Sequence, residues 1–124
     1  MLSFWQTAAE DAHRPPDTTA ALTALHARDP EALILAVDDG RIIGTVIAGW
    51  DGWRAHLYRL AVAPDRRRAG IGKALVGAAE NRFQALGAIR IDAMVLDGNT
   101  QAHATWSATG FRPQPEWSRW IKPL

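Results

Sequence analysis

The sequence predicts an α/β fold with a mixed, mainly antiparallel sheet flanked by helices and one parallel crossover. Three observations carry this. Three strand-like runs, 32–37, 41–50 and 54–63, follow one another through short turns. A long helical pattern between Gly70 and Gly87 separates the last of them from a further strand-like run, 89–96. The composition, 48% hydrophobic and 22% charged, is that of an ordinary globular protein, and 124 residues suit one domain spanning 1–124.

Taken in order, LSFWQTAAEDAH sets Leu2, Trp5, Ala8 and Ala9 at helical spacing, and Pro15-Pro16 breaks the pattern. Asp17 can cap a second helix with Leu22, Leu25 and His26 on one face, ended by Asp29-Pro30. ALILAV is rich in β-formers, Asp38-Asp39-Gly40 is a hairpin signal, and RIIGTVIAGW is the returning strand. Asp51-Gly52 marks the next turn, and Pro64 closes RAHLYRLAVA. Ile71, Leu75, Ala78, Ala79, Phe83 and Leu86 then share a helical face that stops at Gly87. IRIDAMVL reads as a buried strand. Asn99 or Thr100 opens a helix carrying Ala102, Trp106 and Thr109 up to Gly110. Trp117, Trp120 and Ile121 suggest a last strand, delayed by Pro113 and Pro115.

Several function classes drop out. The chain has no cysteine, so disulfides, thiolate metal sites and a cysteine nucleophile are excluded, and no metal is expected. No run approaches the ~20 apolar residues of a membrane span, and the N-terminus lacks the pattern of a signal peptide, so a cytoplasmic location without membrane contact is expected. A net charge of +1 argues against a nucleic-acid partner.

The exception to this even charge is local. RRRAGIGK, residues 66–73, lies where a strand gives way to a helix. The first turn of a helix leaves backbone N–H groups unpaired at the positive end of its dipole. Gly70 and Gly72 remove the Cβ atoms that would block close approach, and Arg67, Arg68 and Lys73 add charge. Such a turn can receive a phosphate or pyrophosphate, or it can be a solvated basic turn. A Walker A loop is excluded because Arg67 takes the first glycine position and Ala74 the hydroxyl position. The dinucleotide fingerprint fails at Leu75.

Arg67-Arg68-Ala69-Gly70-Ile71-Gly72 resembles the Gln/Arg-x-x-Gly-x-Gly/Ala signature of the GNAT superfamily of acetyl-CoA-dependent N-acetyltransferases. The flanking LAVAPDRRR and KALVGAAE, and Asn99, Ala102, Gly110 and Phe111 downstream, match at the family's spacing, so the resemblance covers roughly 33–122. It is similar to small bacterial members of that family.

The resemblance implies a GNAT-like fold in which acetyl-CoA, the cosubstrate, lies between the strands at 54–63 and 89–96. Leu60, Ala61 and Val62 then pair with the pantetheine arm and polarise the thioester carbonyl. Arg67, Arg68, Ala69, Gly70, Ile71, Gly72 and Lys73 take the pyrophosphate, and Asn99 contacts the pantetheine. Transfer to a small-molecule or peptide amine needs a base, stabilisation of the carbonyl oxygen and protonation of the leaving thiolate. His56 stands where some members carry the base, and histidine titrates near neutral pH. It is either that base or a partly exposed strand residue. Strict alternation puts His56, Tyr58, Leu60 and Val62 on one face unless a bulge intervenes. The family's usual acid, a tyrosine four residues before the Gly-Phe pair, is here Trp106, and indole is no acid at neutral pH. Tyr58 is the substitute, or water serves, while Trp106 walls the cofactor channel. His13, His26 and His103 are weaker candidates. Trp50 and Trp53 either line an acceptor pocket or cover an edge or dimer contact.

The family's first strand is expected to be missing, because the chain opens on what resembles its first helix. Strand 32–37 would then carry a bare edge, for which a homodimer partner or a rearranged N-terminal segment is the expected cover. The expected activity is N-acetyl transfer; the alternative is a catalytically weak CoA-binding sensor or regulator.

Overall fold

A computed structural model describes residues 1–8, 17–95 and 97–124. Its helices are α1 (Leu2–Ala8), α2 (Thr19–Arg28), α3 (Ile71–Leu86) and α4 (Thr100–Ala108), and its strands β1 (Leu33–Asp38), β2 (Arg41–Trp50), β3 (Ala55–Val62) and β4 (Ile91–Ala93). Two compact units make up the chain, Met1–Met94 and Val95–Leu124.

The first unit holds one mixed sheet in the order β1-β2-β3-β4. β1, β2 and β3 run as an antiparallel meander, and β4 returns parallel to β3 after α3. The expected meander and crossover are both present. The turn at Asp39-Gly40 joins β1 to β2, with both residues at positive φ, which suits a tight hairpin. α3 is flanked by Gly70 and Gly87, both left-handed, and the Gly87 N–H closes the helix on Gln84 and Phe83.

α3 buries Leu75, Val76, Ala79 and Phe83 against the sheet. Val76 takes the place expected for Ala78, which is exposed, and Leu86 is also largely outside. The close approach of helix and sheet is set at Gly44 of β2. A Cβ there would come 2.9 Å from Ile71 Cγ2 and 2.9 Å from Leu75 Cδ1. Val46 and Ala48 share the phase of Gly44 along β2, and Leu57 pairs with Ala48, so these three face α3; all are nearly excluded from water.

The second helix starts one residue later than expected. Thr18 is its cap, and its hydroxyl accepts from the Ala21 N–H at 3.1 Å. Asp17 instead pairs with Arg59. α2 buries no residue, although Leu22 and Leu25 are half-buried; His26 is exposed. The expectations for Ala9, His13, Pro15-Pro16 and Leu96 lie outside the described residues.

Two strand expectations need correction. The run 89–96 forms a strand only over Ile91–Ala93, half-buried rather than buried; Ile89 is 95% exposed. β4 finds only three partners on β3, Ala55, His56 and Leu57, because β3 departs from regular geometry just beyond them. The tail forms no strand. Trp117, Trp120 and Ile121 are exposed, and Pro113 and Pro115 remove two N–H donors a ladder would need. In the second unit, α4 is capped by Asn99, whose Oδ1 accepts from the Ala102 N–H at 3.1 Å, and it ends before Gly110 at positive φ.

β1 stands at the sheet's edge, and no strand pairs its outer side among the described residues, consistent with a missing first strand. Leu35 and Val37 on this strand are exposed.

Candidate functional site

The candidate site grows from one strand. β3 pairs with β4 at Ala55–Ile91, His56–Asp92 and Leu57–Ala93, and there the pairing stops. From Tyr58 to Val62, β3 continues against β2 alone. Its other edge therefore presents backbone groups that no strand of the described residues takes up. Buried or half-buried backbone groups demand partners, so such an edge is a place for an extended ligand.

A bulge sits where the strands part. Thr45 pairs with Ala61 and Ile47 with Tyr58, so Arg59 and Leu60 together oppose the single Val46. Arg59 takes φ +54°, the left-handed region, to make the extra residue fit. The bulge that strict alternation had to exclude is thus present. The single face expected for His56, Tyr58, Leu60 and Val62 is therefore broken: Val62 pairs with Gly44 on the face toward α3, while Tyr58 pairs with Ile47 on the opposite face.

Beyond the bulge the ladder resumes. Thr45 faces Ala61, and Ala63 N–H donates to Ile43 C=O at 2.8 Å. Antiparallel ladders bond alternate residues, so Ala61 spends its backbone on β2 while Leu60 and Val62 turn theirs to the free edge.

His56 and Tyr58 share the more open face of β3, with ring centroids 6.0 Å apart and tilted by 37°. Tyr58 lies over Gly49, where a Cβ would come within 3.2 Å of the ring. His56 has Gly49 beside it on β2 and Asp92 on β4. Asp92 is held by Arg90 through two contacts of 2.8 and 3.1 Å.

The turn before β3 adds a fixed negative charge. Asp51 Oδ1 accepts from the backbone N–H of Arg54 at 2.6 Å and of Trp53 at 2.8 Å. These two bonds, Arg54's first, hold its carboxyl below the ordinary carboxylate value, and nearby His56 adds a smaller pull in the same direction. Trp53 is exposed and carries the Arg54 guanidinium 4.0 Å from its ring centroid, whereas Trp50 is half-buried at the end of β2.

At the other end of β3 the chain makes a 3₁₀ turn over Pro64–Arg66 and enters α3. Its basic residues divide into two groups. Arg66 is engaged, with Asp38 at 2.7 Å, and Arg41 holds neighbouring Asp65 through contacts of 3.0 and 3.1 Å. These pairs tie the loop to the β1–β2 hairpin. Arg67, Arg68 and Lys73 are exposed and form no ion pair among the described residues. Arg68 sits at φ +69° and Gly70 at φ +79°, which curls the backbone into the helix start. No side chain caps that start. The first bond of α3 runs from the Ala74 N–H to Gly70 C=O, leaving the N–H groups of Ile71, Gly72 and Lys73 ahead of it. A Cβ on Gly70 would meet nothing within 4 Å, so the approach is open. An uncapped helix start with three uncommitted cations fits a pyrophosphate, and the free edge of β3 fits an amide-bearing arm; these residues suit a CoA-type ligand.

Asn99 and Trp106 belong to the second unit. The Asn99 side-chain oxygen is spent on capping α4, which leaves its amide NH₂ as a donor. Trp106 packs edge-on to Phe111 with centroids 4.9 Å apart and is half-buried. His56, Tyr58, Leu60, Val62 and the Arg67–Lys73 loop thus follow one another along one strand and the helix after it, with His56 and Tyr58 on one face of the sheet and Val62 on the other. His103 is exposed on α4.

A second polar group escaped the sequence reading. The Arg59 guanidinium is buried, pairs with Asp17 and lies 5.2 Å from the Trp5 ring centroid. Trp5 Nε1 donates to Thr45 Oγ1 at 2.8 Å, and Thr45 Oγ1 donates to Arg59 C=O at 2.9 Å. One signal was available: Arg59 falls on the apolar phase of β3, among Ala55, Leu57 and Ala61.

The chain has known relatives. It is 39% identical to an acetyltransferase of Pectobacterium atrosepticum over 71 residues, 57% of this chain and 50% of that one. The chain therefore spans about half the length of the curated relatives it matches. Among solved structures, an aminoglycoside antibiotic 6'-N-acetyltransferase from Acinetobacter haemolyticus superposes with a TM-score of 0.72 at 19% identity, covering 99% of this chain and 90% of that one. AAC(6')-Iy in complex with the bisubstrate analogue CoA-S-monomethyl-acetylneamine gives 0.74 at 20% identity, covering 99% and 92%. These two likenesses establish the fold. The model of the acetyltransferase (GNAT) family matches residues 2–111, nearly the whole chain and all of the parted-strand and arginine-loop geometry. On that match the chain belongs to the GNAT family of acetyltransferases.

Proposed function

We propose that this protein is an N-acetyltransferase, a single functional domain over 1–124 that moves an acetyl group from acetyl-CoA directly to a primary amine. The observation that carries the reading is the run of free β3 edge, Leu60 to Val62, straight into the uncapped, cationic start of α3. Bound there, acetyl-CoA supplies an activated acyl group as a thioester. Arg67, Arg68, Lys73 and the N–H groups of Ile71, Gly72 and Lys73 hold its pyrophosphate. In the second unit, the resemblance assigns Asn99, through its amide NH₂, and Trp106 to cofactor contact. The Leu60 and Val62 edge holds the arm and offers N–H donors to the carbonyl oxygen as charge builds on it.

His56 takes the proton that the attacking amine must lose. The nitrogen bonds to the acyl carbon as the carbon–sulfur bond breaks, and Tyr58, or water, returns a proton to the sulfur. The products are an acetamide and free CoA thiol. The acceptor is a small-molecule or peptide amine. The reading carries a cytoplasmic location with it, where acetyl-CoA is made, and a homodimer whose second copy covers the open β1 edge.

A second reading follows from Trp106. Its indole, packed on Phe111, stands where the family's acid would be and donates no proton as an acid, which suits a CoA-binding sensor with weak turnover. Release of CoA thiol across a panel of amines separates the two. Acetyltransfer predicts turnover with at least one amine and a loss of roughly 100-fold or more in His56→Gln. Acetyl-CoA binding with no thiol release from any amine leaves the sensor. An unchanged pH profile in His56→Gln removes the base assignment, and a monomer at all concentrations removes the dimer.

A further inference from the structure

We propose that Thr45 is a positioning residue for the free edge of β3, locking through its hydroxyl the bulge at Arg59–Leu60. Its catalytic consequence rests on the acetyltransfer reading; the lock itself rests on geometry alone.

Thr45 lies in the middle of β2 with no exposure to water. Its hydroxyl sits between two buried groups whose roles cannot be exchanged: the Trp5 indole N–H only donates, and the Arg59 carbonyl only accepts. The hydroxyl must therefore accept from one and donate to the other, which fixes its rotor and the direction of the whole relay. A bulge interrupts the ladder, so the carbonyl of its first residue needs a partner from elsewhere. The Thr45 hydroxyl is that partner.

The lock is needed because Arg59 is held in the left-handed region, which a long side chain adopts only under constraint. Among the described residues, three constraints meet on it. Thr45 holds its carbonyl, Asp17 holds its guanidinium, and the face of Trp5 lies beside that guanidinium. Trp5 acts twice, feeding the hydroxyl with its N–H and lying against the cation with its ring, so α1 is fastened to the same point. The bulge begins two residues after Leu57, the last residue of β3 with a partner on β4. What fixes the bulge therefore fixes where β3 leaves β4 and how Leu60 and Val62 present their N–H groups.

Thr45→Val keeps the shape and removes both hydrogen bonds. The expected result is a fall in kcat of about tenfold or more that exceeds the loss of affinity for CoA itself, because the Arg67–Lys73 contacts to the pyrophosphate do not pass through the relay. Thr45→Ser restores the hydroxyl and turnover. In the unliganded protein, the amide–α-proton coupling of Arg59 moves in Thr45→Val from its left-handed value toward that of an extended residue. If Thr45→Val fails to fold, Trp5→Phe takes its place, removing the donor while keeping a ring, and the same shift is expected. An unchanged Arg59 coupling overturns the lock. Loss of kcat and CoA affinity in equal proportion makes Thr45 a general structural residue and overturns the positioning role. A wild-type protein inert toward every amine, with the coupling still shifted in Thr45→Val, upholds the lock and removes the acetyltransfer reading instead.

Discussion

The two ends of the free β3 edge are built in opposite ways. At the bulge, Trp5, Thr45 and Arg59 are buried, and each polar group meets a partner inside the protein. At the arginine loop, the cations are exposed or half-buried, some bound in surface ion pairs and others without an ion pair among the described residues. The difference follows what each end must do. A backbone that stabilises developing charge must already be in place, and burial with full hydrogen bonding keeps it there. A site for a pyrophosphate must stay wet and open until the anion arrives, so its charges are held loosely.

The largest effect is expected where the open end loses its fit for an anion. Gly72→Asp combined with Arg67→Ala removes a charge-assisted contact and puts a carboxylate in the cradle. CoA affinity measured by calorimetry falls roughly 10- to 100-fold, with little change in melting temperature. Retained affinity would show that the loop is only a basic turn. Next comes Gly44→Val, which drives new atoms into Ile71 and Leu75. It costs about 1–3 kcal/mol in denaturant melts, and CoA affinity falls with it because the start of α3 rests there. Full stability in this variant would mean that helix and sheet are less tightly joined than the buried end requires.

A smaller effect separates the ends by ionic strength. Raising salt from about 0.1 M to about 1 M shortens the screening length from about 10 Å to about 3 Å. CoA affinity should weaken several-fold, while the Arg59 coupling stays unchanged. An equal response at both ends breaks the comparison. The smallest effect belongs to the Arg41–Asp65 clamp, whose partners are both more than half exposed. The hydrogen bond from Arg41 lowers the Asp65 pKa from its ordinary 3.8. The clamp's contribution is complete above that ordinary value and is lost as pH falls through the lowered one. Asp65→Asn should change CoA affinity at neutral pH by no more than about twofold and abolish this acid-side dependence.

Much of this architecture is legible in the sequence because it is local. Asp39-Gly40 closes the first hairpin, and Gly70 and Gly87 bracket α3, since each must adopt a left-handed turn that few residues tolerate. The arginine loop was readable for the same reason: its glycines and cations are neighbours in the chain. Arg59 was visible only as a charge on an apolar phase. Its partners, Asp17, Thr45 and Trp5, lie 42, 14 and 54 positions away, and no local pattern links them. The run 89–96 and the tail with Trp117, Trp120 and Ile121 have the composition of strands. A strand, however, exists only as far as its neighbour offers pairs, and β4 is offered three.

The sequence by itself determined the order of the elements, the tight turns and the cationic helix start, because backbone conformation and charge at those points depend on adjacent residues. Only the tertiary structure decided where β3 parts from β4, which of its residues turn toward the gap, and that a buried threonine holds the bulge between them. Those depend on pairing register and on side chains that meet only after the chain has folded.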